Sequence, residues 1–341
     1  MHVPDGFLDA PTSIATGAIA AGALGISLRR AERELRDSGP ALAGLTAAFV
    51  FAVQMVNFPV GAGTSGHLLG GALAAALVGP WTGVLVMAVV LGVQGLLFAD
   101  GGLTALGTNI TLMGLVTVLT GYLTTRLVLR VLPRRTSSVV PAVATGALLS
   151  VPVAALAFTG LYAAGGTVDI GLGRLAAAML GWHLLIGIGE AVITAAVLSA
   201  VVATRPDLVY VARDLRPELV LIDHRGRATT VSADRPVGAV APGRSAGAAV
   251  AVTLLVAGVV SLYASASPDG LQDVAGRLGF DGAAKGSSGP LAGYAVRGIG
   301  DGHLSGAVAG IVGVLVTIAA GLLIAKLSSL RSRSRAADPG T

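Results

Sequence analysis

The chain has 341 residues, 54% of them hydrophobic and only 12% charged, with 49 glycines, no cysteine and a formal net charge of +5. Soluble domains carry about 25% charged residues, so this composition, with a mean hydropathy of +0.81, excludes a soluble globular protein. It implies an all-α polytopic membrane protein, because lipid admits only internally satisfied helices or closed barrels and the apolar runs are continuous rather than alternating. Without cysteine there are no disulfides and no thiolate metal sites.

The chain opens on Met1 to Leu8, M-H-V-P-D-G-F-L. A histidine in second place can hold a metal through three nitrogens: the free α-amine, its own backbone amide and its imidazole. Together they close small chelate rings, and a fourth nitrogen would complete a square plane. Pro4 ends any helical tendency and Asp5-Gly6 makes a turn, so this arm is expected to fold back into the protein. No basic n-region stands before the first span, so no cleavable signal is expected.

A spanning helix needs about 20 apolar residues. Segments of that length fall at 11–28, 41–57, 80–99, 105–128, 139–164, 179–203, 246–266 and 304–326. The stretch 67–79 is shorter and reads as broken or re-entrant, which is tolerated where backbone lines a cavity. The expectation is about seven helices in a module spanning 1–203, a polar cytoplasmic linker over 204–245, and two further transmembrane helices in a module spanning 246–341 with a basic tail.

Placing the N-terminus outside sorts the loops by charge. Inside then lie Arg29, Arg30, Arg33 and Arg36, next Arg126, Arg130, Arg134 and Arg135, then seven arginines of 204–245, and finally Lys326, Arg331, Arg333 and Arg335. These are 19 of the 23 basic residues; only Arg174, Arg277, Lys285 and Arg297 lie outside. Such asymmetry is the mark of cytoplasmic loops. The basic balance is therefore topology rather than a nucleic-acid footprint, with an extracytoplasmic N-terminus and a cytoplasmic C-terminus. The outer face carries Asp5, Asp9, Asp100, Asp169, Asp269, Asp273, Asp281 and Asp301, eight acids against four bases, which either mildly concentrate cations or are ordinary loop aspartates.

Three further stretches carry chemistry. N-F-P-V-G-A-G-T-S-G-H, Asn57 to His67, lies at the outer mouth of the short segment. A lone membrane histidine is ordinarily a packed polar residue, but His67 shares a face with the free terminus, and neutral imidazole suits nickel, cobalt, copper and zinc. Gln94 to Asn109, Q-G-L-L-F-A-D-G-G-L-T-A-L-G-T-N, combines a turn at Asp100 with Asn109 at the next helix start. Those two residues, with Asp5 and Ser65, are candidates to brace the arm through hydrogen bonds or to be plain turn and cap. In W-H-L-L-I-G-I-G-E-A, Trp182 to Ala191, Glu190 is the only carboxylate inside an expected span and shares a helix face with His183. The two either pair structurally or act near the metal.

These stretches, in this order, resemble the substrate-binding membrane component of nickel and cobalt energy-coupling factor transporters (the CbiM/NikM family) over 1–203. S-A-S-P-D-G-L, Ser265 to Leu271, resembles the small two-helix auxiliary component, a PDGLE/CbiN-like module, fused at the C-terminus. That pattern usually continues with glutamate, where this chain has Gln272. The resemblance implies a square-planar site made by the Met1 amine, the His2 amide and imidazole, and His67. It also implies Ni(II) or Co(II) as transported substrate, and as partners a transmembrane coupling subunit and ATP-binding cassette ATPases.

The donor chemistry agrees. Four nitrogens in a plane, one a deprotonated amide, favour Ni(II) or Cu(II) with Co(II) possible, whereas Mg, Ca and tetrahedral Zn fit poorly. No G-x-x-x-x-G-K-[ST] run occurs, so no nucleotide site of that kind is expected in this chain. A stand-alone proton-coupled transporter would need ionisable groups spread over several spans. A sensor would need a signalling domain larger than 204–245, and an enzyme a nucleophile–base arrangement. None of these three is expected; His303 in the outer loop reads as structural.

Overall fold

The computed structural model describes residues 1–215, 219–222, 228–231 and 244–336. Among them, seven helices are long and apolar enough to cross a membrane, five before residue 205 and two after it; the expected span 41–57 is a shorter apolar helix, Pro40–Gln54.

Helix α1, Ala10–Ser38, starts where Asp9 accepts the Thr12 N–H at 2.9 Å and Pro11 occupies the first turn. It runs past the expected 11–28 until Gly39, at φ +78°, lets the chain turn into α2, Pro40–Gln54. The hairpin β1, Phe58–Gly61, and β2, Thr64–Gly66, follows, antiparallel with Phe58 opposite Gly66. The short 67–79 segment resolves into an extended lead and an eight-residue helix, α3, Gly71–Val78, buried along its whole length. Gly79 and Pro80 then open α4, Pro80–Val93, which widens into a π-turn over Gln94–Phe98. A four-residue helix, α5, Leu106–Asn109, passes through a second π-turn, Ile110–Val116, into α6, Thr117–Val131. Two long spans, α7, Val139–Gly165, and α8, Leu172–Thr204, close the first module; α8 starts seven residues ahead of the expected 179.

The polar 204–245 stretch is not featureless. It turns through Pro206–Leu208 and Tyr210–Leu215, burying Val209, Val211 and Ala212 against the first module, and includes a hairpin of β3, Leu219–Ile222, and β4, Ala228–Val231. Arg216, Arg225, Arg227 and Arg235 of that stretch lie outside the described residues. The second module comprises α9, Arg244–Gly258, a short amphipathic α10, Gly270–Leu278, and the long α11, Gly302–Ala336.

Small residues set the packing, as lipid provides no hydrophobic drive between helices. A Cβ on Gly71 would lie 1.9 Å from Thr117 Oγ1, and one on Gly146 2.5 Å from the Gly121 carbonyl. Helix α3 is thus sunk between α4 and α6, α8 lies along α7, and α11 of the second module lies along α2 of the first. One expectation fails. Glu34 lies inside the span Ala10–Arg36, so Glu190 is not the sole carboxylate in a span. The reason is that α1 continues past its apolar stretch and Glu34 is buried accepting the Trp81 and Thr82 N–H groups at the start of α4.

Candidate metal centre

The first residues do fold back. Met1 is 2% exposed, Val3 fully buried and His2 8% exposed. The turn depends on Gly6, at φ +92°, where a Cβ would strike the Ala283 carbonyl at 2.2 Å. Asp5 does not reach the histidines. Its carboxylate accepts the N–H groups of Leu103, Thr104 and Ala105 and so ties the turn to the α4–α5 connection. Asn109 pairs with Val3 in both directions, accepting its N–H at 2.8 Å and donating to its carbonyl at 3.1 Å. Gly102 adds a third backbone bond, to the Val3 carbonyl.

This anchoring delivers the terminal amine to His67: Met1 N lies 2.8 Å from His67 Nε2. The His67 Nδ1–H donates to the Leu68 carbonyl at 2.9 Å, which leaves the Nε2 lone pair facing the amine. A second partner on a ligating imidazole fixes its tautomer and orientation in just this way. The His2 and His67 rings stack with centroids 5.0 Å apart. His2 Nδ1 lies 3.2 Å from Asp100 Oδ1, and Nε2 lies 3.2 Å from Gln94 Oε1. Burial pulls the His2 pKa down to about 4 despite the opposing pull of Asp100, so the ring is neutral at ordinary pH.

The other candidates are placed as follows. Ser65 Oγ donates to the Ser267 carbonyl at 2.7 Å, and its N–H donates to the Pro268 carbonyl, joining β2 to the segment that leads into α10. Glu190 and His183 are both fully buried on α8, but they bond to different groups. Glu190 accepts the N–H groups of Leu69 (2.5 Å) and Gly70 (2.9 Å), holding the backbone that follows His67. His183 Nδ1–H donates to the Met179 carbonyl, and its Nε2 has no hydrogen-bond partner among the described residues. It sits beneath Gly270, where a Cβ would come within 3.5 Å of that nitrogen. His303 is exposed at the start of α11.

Sequence reasoning missed three groups. Asp269 Oδ2 lies 3.0 Å from the Met1 amine and 3.8 Å from His67 Nε2, with the residue only 6% exposed. Its carboxyl lies well below the usual range: burial pushes it up, but the neighbouring Met1 ammonium outweighs burial. Tyr294 donates to Asp100 at 2.6 Å, and Gln94 Oε1 faces His2 Nε2 at 3.2 Å. The available signal was the repeat of P-D-G at Pro4–Gly6 and Pro268–Gly270. Asp269 was legible only as one of many outer-face acids. Among the described residues, His2, His67 and Asp269 form the one group of three metal-ligating side chains whose donor atoms all lie within 4.8 Å of one another.

The fold and this cluster define a multi-pass membrane protein with a buried nitrogen-rich site at one face. Residues 2–208 match the family described as the cobalt uptake substrate-specific transmembrane region, and residues 244–330 match the PDGLE domain. The chain belongs to that cobalt-uptake family, with a PDGLE domain at its C-terminal end. It is 40% identical over 211 residues to a putative fused nickel transport protein, NikMN, of Archaeoglobus fulgidus, covering 61% of this chain and 68% of that one. It is 34% identical over 212 residues to the cobalt transport protein CbiM of Sorangium cellulosum, covering 61% and 94%. A crystal structure of a transition metal transporter is similar at 32% identity and a TM-score of 0.52, over 59% of this chain and 92% of that chain. A truncated transition metal transporter gives 31% and 0.51, over 60% and 99%.

Proposed function

We propose that this chain is the substrate-capture component of an ATP-driven importer, taking Ni(II) or Co(II) from the outer face. In this reading the ion is the transported substrate, held in a plane by the Met1 amine, the His2 amide and imidazole, and His67 Nε2. The observation that carries it is the 2.8 Å separation of Met1 N from His67 Nε2 in a buried setting. Two donors at right angles about an ion at roughly 2.0 Å stand about 2.8 Å apart. Relatives named for nickel and for cobalt transport support the substrate class and leave both ions in play.

The first module, 1–203, binds the ion. The second, 246–341, supplies the outer segment that covers it, and 204–245 joins the two. The N-terminus faces outward and the C-terminus inward, as the basic loops indicate. Energy comes from partners, a transmembrane coupling subunit and ATP-binding cassette ATPases, because this chain has no P-loop sequence.

The test is chemical. Acetylating the Met1 amine, or adding one residue before it, removes a donor and displaces the chelate, so Ni(II) and Co(II) affinity falls at least a hundredfold while the protein stays folded. His67→Ala weakens binding in the same way. Retained affinity in the acetylated protein would end this reading.

A further inference from the structure

Asp269 belongs to the second module, yet its carboxylate ends inside the site built by the first. Its two oxygens divide their contacts. Oδ1 accepts the N–H groups of Leu271 and Gln272, both at 2.9 Å, and so caps α10. Oδ2 faces the Met1 amine at 3.0 Å and His67 Nε2 at 3.8 Å, and those two nitrogens are 2.8 Å apart. The donor atoms of Asp269, His67 and His2 all lie within 4.8 Å of one another. A shift of about 1 Å brings Oδ2 to the roughly 2.8 Å from His67 Nε2 expected of a donor at right angles to both nitrogens, off the four-nitrogen plane.

Charge makes the same point independently. A divalent ion bound by an amine, two imidazoles and one deprotonated amide retains one uncompensated positive charge. Met1 and His67 are 2% and 4% exposed, and an unpaired charge in such a place is strongly disfavoured. One carboxylate makes the site neutral. Asp100 is the other acid nearby, but its side chain is 27% exposed against 8% for Asp269, and it is engaged by His2 and by Tyr294.

The geometry points to Asp269 Oδ2 as a direct oxygen donor to the bound ion, contributed by the PDGLE module, an assignment that rests on the metal site proposed above. The outer segment is then part of the coordination sphere as well as a cover.

Asp269→Asn in the full chain is the decisive variant. Asparagine caps helices as well as aspartate does, so α10 is kept, but an NH2 group replaces Oδ2 and faces the ion. Co(II) and Ni(II) affinity, by competition with a chromogenic chelator, is expected to fall at least tenfold, with a changed Co(II) visible spectrum. Isotope-edited infrared difference spectra of the unsubstituted protein, labelled with 13C-aspartate, are expected to show a carboxylate band that shifts on Co(II) binding and disappears in the variant. This second measurement holds even if the variant does not fold. Unchanged affinity and an unchanged Co(II) spectrum in Asp269→Asn, or no shifted carboxylate band in the unsubstituted protein, overturn the assignment. Acetylated and His67→Ala proteins separate the two claims. If they lose the metal while Asp269→Asn keeps it, only the carboxylate donor is wrong; if they keep it, the four-nitrogen site itself is.

Discussion

Replacing Glu190 with alanine tests whether α8 holds the ligand loop in place. In the native protein its two carboxylate oxygens accept the Leu69 and Gly70 N–H groups at 2.5 and 2.9 Å, and the residue is fully buried. Truncation strands both donors where water cannot reach them. Each unsatisfied buried group costs about 1–3 kcal/mol, so the pair amounts to roughly 2–6 kcal/mol. Glu190→Gln restores one acceptor but sets its NH2 against the other N–H, so it falls between alanine and the parent. Thermal unfolding of the metal-free protein in detergent reads the effect, and the melting temperature of the alanine variant is expected to drop on the order of 10 °C. His67 precedes this backbone immediately, so Ni(II) and Co(II) affinity should fall in the same order. An alanine variant melting within about 2 °C of the parent would show that Glu190 does not hold the loop.

A methyl group at Gly102 would meet the Asp5 N–H nitrogen at 2.3 Å and Asp5 Oδ1 at 2.1 Å; Gly102→Ala is therefore expected to dislodge the arm and lower metal affinity at least tenfold, with the melting temperature little changed. Gly71→Ala should do the reverse, costing about 1–3 kcal/mol of stability as overpacking does, because the new Cβ would lie 2.8 Å from Thr117 Cβ and 2.9 Å from the Val118 nitrogen. The His2 pKa is lowered from 6.5 to about 4, chiefly by burial. Above pH 6.5 both folded and unfolded chains hold it neutral, and below that the unfolded chain takes the proton first. Stability of the metal-free protein should therefore fall as pH drops from 6.5 towards 4, by about 3 kcal/mol at most, and a His2→Ala protein should lose that slope. Hydrogen exchange gives another check. Saturating Ni(II) or Co(II) should slow exchange of the Val3 and Gly102 amides, by up to about a thousandfold at a thousand times the dissociation constant. Faster exchange there on adding metal would contradict the anchoring of the arm.

The membrane class and most of the spans were legible because apolar run length is a direct physical requirement of the bilayer, although 41–57 yields only the 15-residue α2. Their ends were less so. Helix α1 continues ten residues beyond the apolar stretch because Glu34 finds partners at the start of α4, a contact that no local pattern announces. The short 67–79 segment was legible as irregular from its length alone, and Glu190 explains how its exposed backbone is satisfied. At the site, His2 and His67 stood out because histidine is scarce in this chain, five in all. Asp269 did not, because nothing in an aspartate of a polar loop states which distant amine it will face. Its contact with Met1 spans 268 residues. Only the P-D-G motif shared by the two segments hinted at a common location.

The two modules meet at this site through the backbone as well as through Asp269. The Ser65 N–H donates to Pro268, Lys285 to Asp5, Ser265 to Asn57 and Leu291 to Leu97, each between 2.8 and 2.9 Å. The segment between α9 and α11 thus holds the arm, the hairpin before His67 and the α4 end at once, and with it in place Met1, His2 and His67 are almost inaccessible to solvent. In the proposed function an ion can reach Met1 only if some of these bonds open, and once bound it would stabilise whichever arrangement offers it more donors. For the amine to act as the proposed ligand it has to lose its proton, which ends the ammonium–carboxylate ion pair now held at 3.0 Å. On the proposed metal site, capture of the ion and closure of the second module over the first are one equilibrium, and a fused chain keeps both halves of it at a fixed effective concentration.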